Sequence, residues 1–155
     1  IACLSVLPAC VSVNLGPKGP TKSTGVTFKN PSKPFEEADR KPADGVWQNP
    51  GNGNSISFLS LCNETSAPTL ESAANEMFSE LGDLTTVRAV HRSYNGRDAY
   101  DAEVRGKVEG VSTQIRTVVF RKNGCLYTLS FVGLEKSFDV DRCQFDDFLT
   151  GFQAP

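Results

Sequence analysis

Histidine and cysteine carry much of the nucleophilic, acid–base and metal-binding chemistry of proteins, and this chain of 155 residues holds one histidine and five cysteines. His91 lies between Val90 and Arg92 in a strand-like segment, so we expect it to be exposed or packed at a sheet edge. A catalytic triad needs a nucleophile at a sharp turn, and the sequence has no G-x-S-x-G elbow. Zinc binding by His91 and the cysteines also lacks the usual C-x-x-C or H-x-x-x-H spacing. We therefore predict no catalytic residue, metal site or cofactor site; a hydrolase or redox enzyme would have to use His91 or Cys143.

Two segments resemble phosphate- or calcium-binding loops but lack residues that those loops require. In residues 16–23, Thr21 stands where a phosphate loop needs glycine, and the two prolines have no N–H to offer a phosphate. In residues 139–144, Gln144 occupies the place of the turn-forming glycine of a calcium loop, and Arg142 adds a positive charge. We interpret the first segment as part of a linker and the second as the acidic start of a helix.

Cys10 follows a run of apolar, uncharged residues. An apolar run, a small residue and then cysteine are typical of the end of a bacterial lipoprotein signal. Ala9 fits this pattern, whereas Pro8 is unusual in it. We predict that residues 1–9 are the remnant of a signal peptide and that Cys10 is the lipidated N-terminus, held in the membrane by its acyl chains. The alternative is a short buried strand over residues 1–7 with two ordinary cysteines.

Proline and charge are distributed unevenly along the chain. Seven of the nine prolines precede residue 51, and residues 11–45 hold six Lys or Arg against four Asp or Glu. This stretch has few large apolar side chains, so we predict a flexible tether over residues 10–45, of which residues 26–28 and Phe35 could dock on the domain. Residues 46–155 hold ten Lys or Arg against fourteen Asp or Glu and form the predicted globular domain. The net charge of -2 lacks the basic excess of a nucleic-acid-binding protein, so we expect no nucleic-acid partner.

Hydrophobic periodicity in residues 46–155 predicts two helices and about six strands. Apolar residues recur at helical spacing after Thr69, which can cap a helix, and again towards the end of the chain. Asn-Gly or Glu-Gly pairs follow residues 94, 108 and 122, and such pairs are typical of tight hairpin turns. The predicted order is β-β-α-β-β-β-β-α, an α+β domain in which two helices flank an antiparallel sheet. The predicted strands are 46–49, 55–62, 86–94, 97–108, 111–121 and 125–132, and the predicted helices are 70–81 and 140–152.

The predicted strand 97–108 alternates apolar and charged residues, which indicates one face against the core and the other in solvent. Basic residues on this strand and its neighbours could form a polar face that meets an acidic partner. Acidic residues interleave with them, which favours a self-neutralising, solvated face instead. The basic positions are Arg88, Arg92, Arg97, Arg105, Lys107 and Arg116, and the acidic ones are Asp101, Glu103 and Glu109.

Three cysteines remain in the predicted domain. Cys62 ends one predicted strand and Cys125 begins another, so the two could meet at one end of the sheet. We predict a Cys62–Cys125 disulfide, with Cys143 unpaired because it lies off the apolar stripe of its helix. The alternative is three free thiols in a reducing cell.

The order of elements resembles the Mog/PsbP-like fold over residues 45–152. The segment 95–100 (NGRDAY) and the closing segment 148–152 (FLTGF) carry this resemblance. Residues 56–62, 108–111 and 122–127 are similar to uncharacterised lipoproteins of delta-type proteobacteria, which carry cysteine at the places of Cys62 and Cys125. The resemblance implies a non-enzymatic protein that binds and stabilises partner proteins, although fold alone does not fix function.

These observations predict a lipid-anchored protein of the bacterial cell envelope, on the periplasmic side and attached to the outer membrane. It would bind a partner protein or support an envelope assembly. The alternative is a periplasmic module that binds a small molecule or peptidoglycan in a cavity between sheet and helix. Aromatic side chains facing a pocket, from Trp47, Tyr94, Tyr100 or Tyr127, would favour that alternative.

Overall fold

A computed structural model describes residues 19–155, in which seven antiparallel strands form one sheet with helices on both faces. The predicted α+β class is confirmed. The strand count is seven rather than about six because Glu36–Glu37 pairs with the next strand. The strands are β1 (Glu36–Glu37), β2 (Gly45–Gln48), β3 (Ser55–Cys62), β4 (Gly82–Tyr94), β5 (Arg97–Val108), β6 (Val111–Lys122) and β7 (Cys125–Leu134), in the order β1-β2-β3-β7-β6-β5-β4. The helices are α1 (Leu70–Met77), α2 (Glu135–Phe138) and α3 (Arg142–Gly151).

Three tight turns connect β4 to β5, β5 to β6 and β6 to β7, as the sequence predicted. At the first turn the φ angles of Asn95 and Gly96 are 52° and 73°. Positive φ at both central residues is the geometry that joins strands with a right-handed twist. The turns at Glu109-Gly110 and Asn123-Gly124 share it. These short connections determine that β4 to β7 lie side by side in chain order.

Helix α1 begins where the sequence predicted it but ends earlier. The Thr69 hydroxyl accepts a hydrogen bond of 3.1 Å from the Ser72 amide, which caps the helix. The helix ends at Met77 rather than at residue 81. Gly82 is the first residue of β4, where it pairs with Lys107, so the chain must leave the helix before this point to enter the sheet.

The predicted helix over 140–152 is α3, which runs from Arg142 to Gly151, whereas the short helix α2 was not predicted and is separated from α3 by a turn at Asp141. Asp141 stands at the N-cap position, but its side chain makes no capping bond. Instead, its Oδ2 atom accepts hydrogen bonds from the amides of Asn49, Asn52 and Asn54 at 2.9, 2.7 and 2.8 Å. Burial favours the neutral acid, but these three bonds hold the pKa of Asp141 below its ordinary value. Asp141 therefore fixes the β2–β3 turn to the start of α3.

Both faces of the central strands are buried, which corrects the prediction of a solvated face on residues 97–108. Helix α1 covers one face, where Ala74 packs near Val104 and Val119. Helix α3 covers the other face, where Phe145 and Phe148 join the larger core. Periodicity within one strand could not reveal that this second face, which carries charged residues, is also covered.

Residues 19–45 lie on the domain, whereas the sequence predicted a flexible tether in which only residues 26–28 and Phe35 could dock. Thr21 and Cys62 exchange two backbone hydrogen bonds of 3.0 and 2.8 Å, and Thr27 is bridged in the same way to Gln153. The ring of Phe28 lies 5.1 Å from that of Phe58, and Phe35 is buried. These apolar side chains supply the buried surface that holds the segment in place. The predicted tether residues 10–18 lie outside the described residues.

Candidate functional site

A cluster of buried charges lies between the sheet and α3, centred on Asp101 of β5. Asp101 pairs across the sheet with Val90 of β4 and Val118 of β6. Side chains two positions from Val90 or Val118 lie on the same face of the sheet as Asp101. Three of them are arginines, which therefore surround the Asp101 carboxylate. We call the group Asp101, Arg88, Arg92 and Arg116 the Asp101 cluster.

The arginines converge on a carboxylate whose exposed fraction is 0%. Arg116 donates from Nε to Oδ1 and from Nη2 to Oδ2, each at 3.0 Å, in a bidentate pair. Arg92 donates from Nε to Oδ2 at 2.9 Å, and the Nη2 atom of Arg88 lies 3.0 Å from the same oxygen. Arg116 also donates to Asp146 of α3 at 2.7 Å, so the cluster joins the sheet to the helix.

The charges in this cluster determine each other's protonation. Burial favours neutral Asp101, but Arg116, Arg88 and Arg92 outweigh it and hold the pKa of Asp101 below its ordinary value. Burial likewise opposes the charge of Arg116, while Asp101 and Asp146 raise the pKa of that guanidinium. The cluster is therefore ionised at neutral pH, and loss of either buried partner would leave the other uncompensated.

A second buried carboxylate, Glu103, lies two residues further along β5. Arg142 of α3 donates to both of its oxygens, at 2.7 and 2.8 Å, and Gln114 of β6 donates to Oε1. The bonds from Arg142 are the main cause that lowers the pKa of Glu103. The charges on this face thus neutralise one another, as the sequence interpretation favoured, but they do so beneath α3 rather than in solvent.

An open groove of about 510 Å³ lies beside the Asp101 cluster, between β4 and α3. The Tyr94 hydroxyl in its wall donates a hydrogen bond of 2.6 Å to the carbonyl of Leu149, and burial raises the pKa of this phenol. The Arg92 guanidinium lies 5.1 Å from the centre of the Tyr94 ring. We call this feature the arginine groove; it is lined by Arg92, Ser93, Tyr94, Asn95, Arg116, Asp146, Leu149, Thr150 and Gln153. Its guanidinium donors are suited to a carboxylate or a phosphate.

Strand β4 forms the edge of the sheet in the described part of the chain. Irregularities interrupt its pairing with β5 between Gly82 and Thr85 and between Thr86 and Arg88, whereas residues 88–94 pair without a break. Three large apolar side chains on this strand are exposed, those of Leu84, Val87 and Val90.

His91 lies exposed on β4, as predicted, and contacts two carboxylates. Its Nδ1 lies 2.9 Å from Asp98, and its Nε2 lies 2.7 Å from Glu71 of α1. The bonds to Asp98 and then Glu71 raise the pKa of His91. The two carboxylates approach opposite nitrogens, so His91 bridges them. Within residues 19–155, no group of three or more His, Cys, Asp or Glu side chains is arranged to hold a metal ion.

The three domain cysteines lie at different places in the fold. Cys62 and Cys125 face each other at the paired ends of β3 and β7 and form a disulfide. Cys143 of α3 is exposed and has no disulfide partner among the described residues. Cys10, the predicted lipidation site, lies outside the described residues. None of the helices in residues 19–155 has the length and apolar character needed to cross a membrane.

Sequence reasoning identified the charged residues on β4 to β6 but not their arrangement. It missed Asp146 and Arg142, which come from α3 and connect that helix to Arg116 and Glu103. The alternating charges of residues 97–108 were the only signal for the cluster, and they are equally typical of a solvated strand face.

Comparison with known proteins finds solved structures with a similar fold. No protein-family model matches the chain, and no curated protein matches its sequence. LpqN of Mycobacterium tuberculosis, described as involved in cell envelope biogenesis, is a solved structure with a similar fold. The two share 15% identity at a TM-score of 0.63, over 92% of this chain and 88% of LpqN.

Cyanobacterial PsbP (CyanoP) of Synechocystis is a second structural neighbour. It shares 18% identity at a TM-score of 0.58, over 96% of this chain and 99% of CyanoP. At these identities the likeness concerns the fold, which is PsbP-like, as the sequence predicted. The similarity to lipoproteins of delta-type proteobacteria stays a prediction.

Proposed function

We propose that this chain is a lipid-anchored, non-enzymatic protein of the bacterial cell envelope that binds a partner protein or supports an envelope assembly. The Cys62–Cys125 disulfide is the observation that carries the proposal. Disulfides persist in exported proteins and are rare in the cytosol. The bridge lies where two long neighbouring strands, β3 and β7, end together, in a position suited to a structural role.

The sequence before the domain supports the anchor. The apolar run that precedes Cys10 is typical of a lipoprotein signal, and acyl chains on this cysteine would hold the domain at a membrane. We place the domain on the periplasmic side, at the outer membrane. The description of LpqN as involved in cell envelope biogenesis belongs to LpqN, and it supports the same setting for a chain of the same fold.

The chemistry of the described residues supports a binding role. The nitrogens of His91 are both directed at carboxylates, and the carboxylate of Asp101 is paired with guanidinium groups. A general base or nucleophile needs a reactive atom free to reach substrate. Paired and ionised side chains of this kind hold a sheet and a helix together and present hydrogen-bond donors at their margins.

The second candidate is a periplasmic module that binds a small anionic molecule or a peptidoglycan fragment. The arginine groove is the observation that favours it, because Arg92 offers guanidinium donors beside the ring of Tyr94. Two of the other aromatic residues considered from the sequence, Trp47 and Tyr127, lie in the core. Small-molecule sites are mostly apolar and enclosed, whereas this groove is open and polar, so protein binding is our first proposal.

Membrane fractionation with labelled fatty acid tests the proposal in cells. We expect the natural chain to incorporate label and sediment with membranes, and a Cys10→Ala variant to do neither. A Cys143→Ala variant is the matched control and should behave as the natural chain does. Equal labelling and sedimentation of the Cys10→Ala variant and the natural chain would contradict anchoring at Cys10.

A further inference from the structure

The outer edge of β4 has the backbone and the charges to pair with another strand. An edge strand presents unpaired N–H and C=O groups, which are a template for an added strand. The first half of β4 is interrupted at Leu84 and Val87, and such irregularities protect an edge. Residues 88–94 pair with β5 without interruption over about 23 Å, a length that accepts a short extended segment. Five of these residues are exposed, and Arg92 and Tyr94 are partly buried.

The regular half of the edge carries two arginines whose side chains reach solvent. Arg88 and Arg92 lie on one face of β4, four residues and about 13 Å apart, with Val90 between them. The side chains of Arg88 and Arg92 are 45% and 32% exposed. Arg92 binds Asp101 through Nε, and its two Nη groups make no hydrogen bond within residues 19–155.

The arginines of this face are matched in number by carboxylates, but two of them keep free N–H donors at the edge. Arg88, Arg92, Arg116 and Arg142 lie with Asp101, Glu103, Asp139 and Asp146. Arg92 reaches Asp101 through Nε alone and Arg88 through Nη2 alone, so their other N–H groups are available on the side where both side chains reach solvent. An incoming carboxylate could bind there without displacing Asp101.

We propose that residues 88–94 of β4 bind an extended acidic segment of a partner protein, which adds a strand to the sheet. This inference rests on the proposed protein-binding function and names the chemistry of the partner. Strand side chains alternate between faces, so carboxylates four residues apart on the partner lie opposite Arg88 and Arg92. The residue midway between the carboxylates lies opposite Val90 and is apolar.

A second copy of this chain fits the edge less well. Antiparallel pairing of two β4 strands about Val90 would place Arg88 of each copy opposite Arg92 of the other. Like charges directly opposite each other destabilise a strand pair. Charge complementarity therefore selects an acidic partner segment.

Fluorescence anisotropy with labelled nine-residue peptides tests the inference on the purified full chain. The matching peptide carries two glutamates four positions apart, a valine midway between them and threonine elsewhere. A control peptide of the same composition carries the glutamates directly on either side of the valine, so they lie on the opposite face. We expect the matching peptide to bind roughly tenfold more tightly, and added salt to reduce the difference. N-methylation of alternate peptide bonds should abolish binding, because it removes main-chain hydrogen bonds.

Two protein variants test whether Arg88 causes the preference for the matching peptide. Arg88→Gln should remove most of the preference for the matching peptide, while Asp101 keeps its bidentate partner, Arg116. Arg97→Gln makes the same change of charge at an exposed position of β5 and should leave the preference intact. Backbone amide exchange should slow in residues 88–94 when the matching peptide is added.

Several outcomes would overturn the inference. Equal affinity for the two peptides would overturn it, and so would an Arg88→Gln variant that keeps the preference for the matching peptide. Slowed amide exchange outside β4, rather than in residues 88–94, would also overturn it. Protection of β4 that rises with protein concentration and without peptide would show that a second copy occupies the edge. Because the peptide assay does not depend on the anchor, an unlipidated Cys10 would refute the anchor of the proposed function and leave this inference standing. Lipidation without peptide binding would refute this inference alone.

Discussion

Replacement of Asp101 by asparagine is the most informative perturbation of the fold, because it keeps the shape of the side chain and removes its charge. The carboxylate is 0% exposed and pairs with three arginines. Arg88 and Arg92 can turn towards water after the change. The side chain of Arg116 is only 10% exposed and cannot turn towards water. The lost stability therefore comes mainly from its buried guanidinium, which no longer has the Asp101 charge as a partner.

Removal of one partner from a buried ion pair costs about 3–5 kcal/mol. Arg116 keeps its contact with Asp146, so we expect a loss near the lower end, about 3 kcal/mol in the free energy of unfolding. For a chain of this size, that corresponds to a fall in Tm of roughly 6–12 °C. Asp146→Asn is the matched control, since it removes the other carboxylate on Arg116. The Asp146 side chain is 53% exposed, so its loss should cost less than about 1 kcal/mol.

Urea unfolding followed by circular dichroism measures both variants, and pH adds a second check. The pKa of Asp101 is lowered in the folded state, so its stabilising contribution is fully present above its ordinary value of 3.8. That contribution is lost as the pH falls through the lowered pKa. The difference in the free energy of unfolding between the natural chain and Asp101→Asn should therefore be constant near neutral pH and become smaller in strong acid. Equal losses in Asp101→Asn and Asp146→Asn, or a gap that widens in acid, would refute the account of this cluster.

Three further predictions concern other parts of the fold. Joint replacement of Cys62 and Cys125 by alanine should lower the free energy of unfolding by about 4 kcal/mol in urea titrations, since the bridge joins residues 63 positions apart; a loss under 1 kcal/mol would contradict this. Asp141→Ala should cost at least about 3 kcal/mol in the same assay, because three asparagine amides lose their acceptor; a near-neutral effect would refute that role. The single histidine allows a direct proton NMR titration, in which the pKa of His91 should lie above 6.5 and fall in Asp98→Asn. The stabilising contribution of His91 should be present below the unfolded pKa and be lost as pH rises through the raised value; a midpoint at or below 6.5 would contradict this.

Much of the sheet could be predicted from the sequence because its signals are local. The Asn-Gly pair at residues 95–96 defines a tight turn through two backbone conformations that few other residues adopt readily. Strand β3 was predicted with its observed bounds, since Ile56 and Phe58 alternate with smaller or partly exposed residues. The predicted end of α1 was less accurate. The helix stops early because Gly82 pairs with Lys107 in the sheet, and this distant contact leaves no signal in the local sequence.

The site was harder to predict because it depends on contacts across elements. Asp101 lies on a strand whose alternation is typical of a solvated face, and only the position of α3 buries it. The segment that holds Asp141 was interpreted as the acidic start of a helix because that signal is local, whereas the side-chain partners of Asp141 lie about ninety residues earlier in the β2–β3 turn. Phe28 and Phe35 were recognised as residues that could dock on the domain, and both pack with the core. The backbone bonds that Thr21 and Thr27 make to Cys62 and Gln153 have no local sequence signal, so the polar, proline-rich stretch around them was interpreted as a tether.

Mass spectrometry of the N-terminal peptide of protein extracted from membranes tests the proposed envelope function most directly. The account predicts that residues 1–9 are absent and that the peptide begins at Cys10, with acyl chains accounting for its added mass. A peptide in which residues 1–9 are retained and Cys10 is unmodified would contradict the proposal of a lipid-anchored protein.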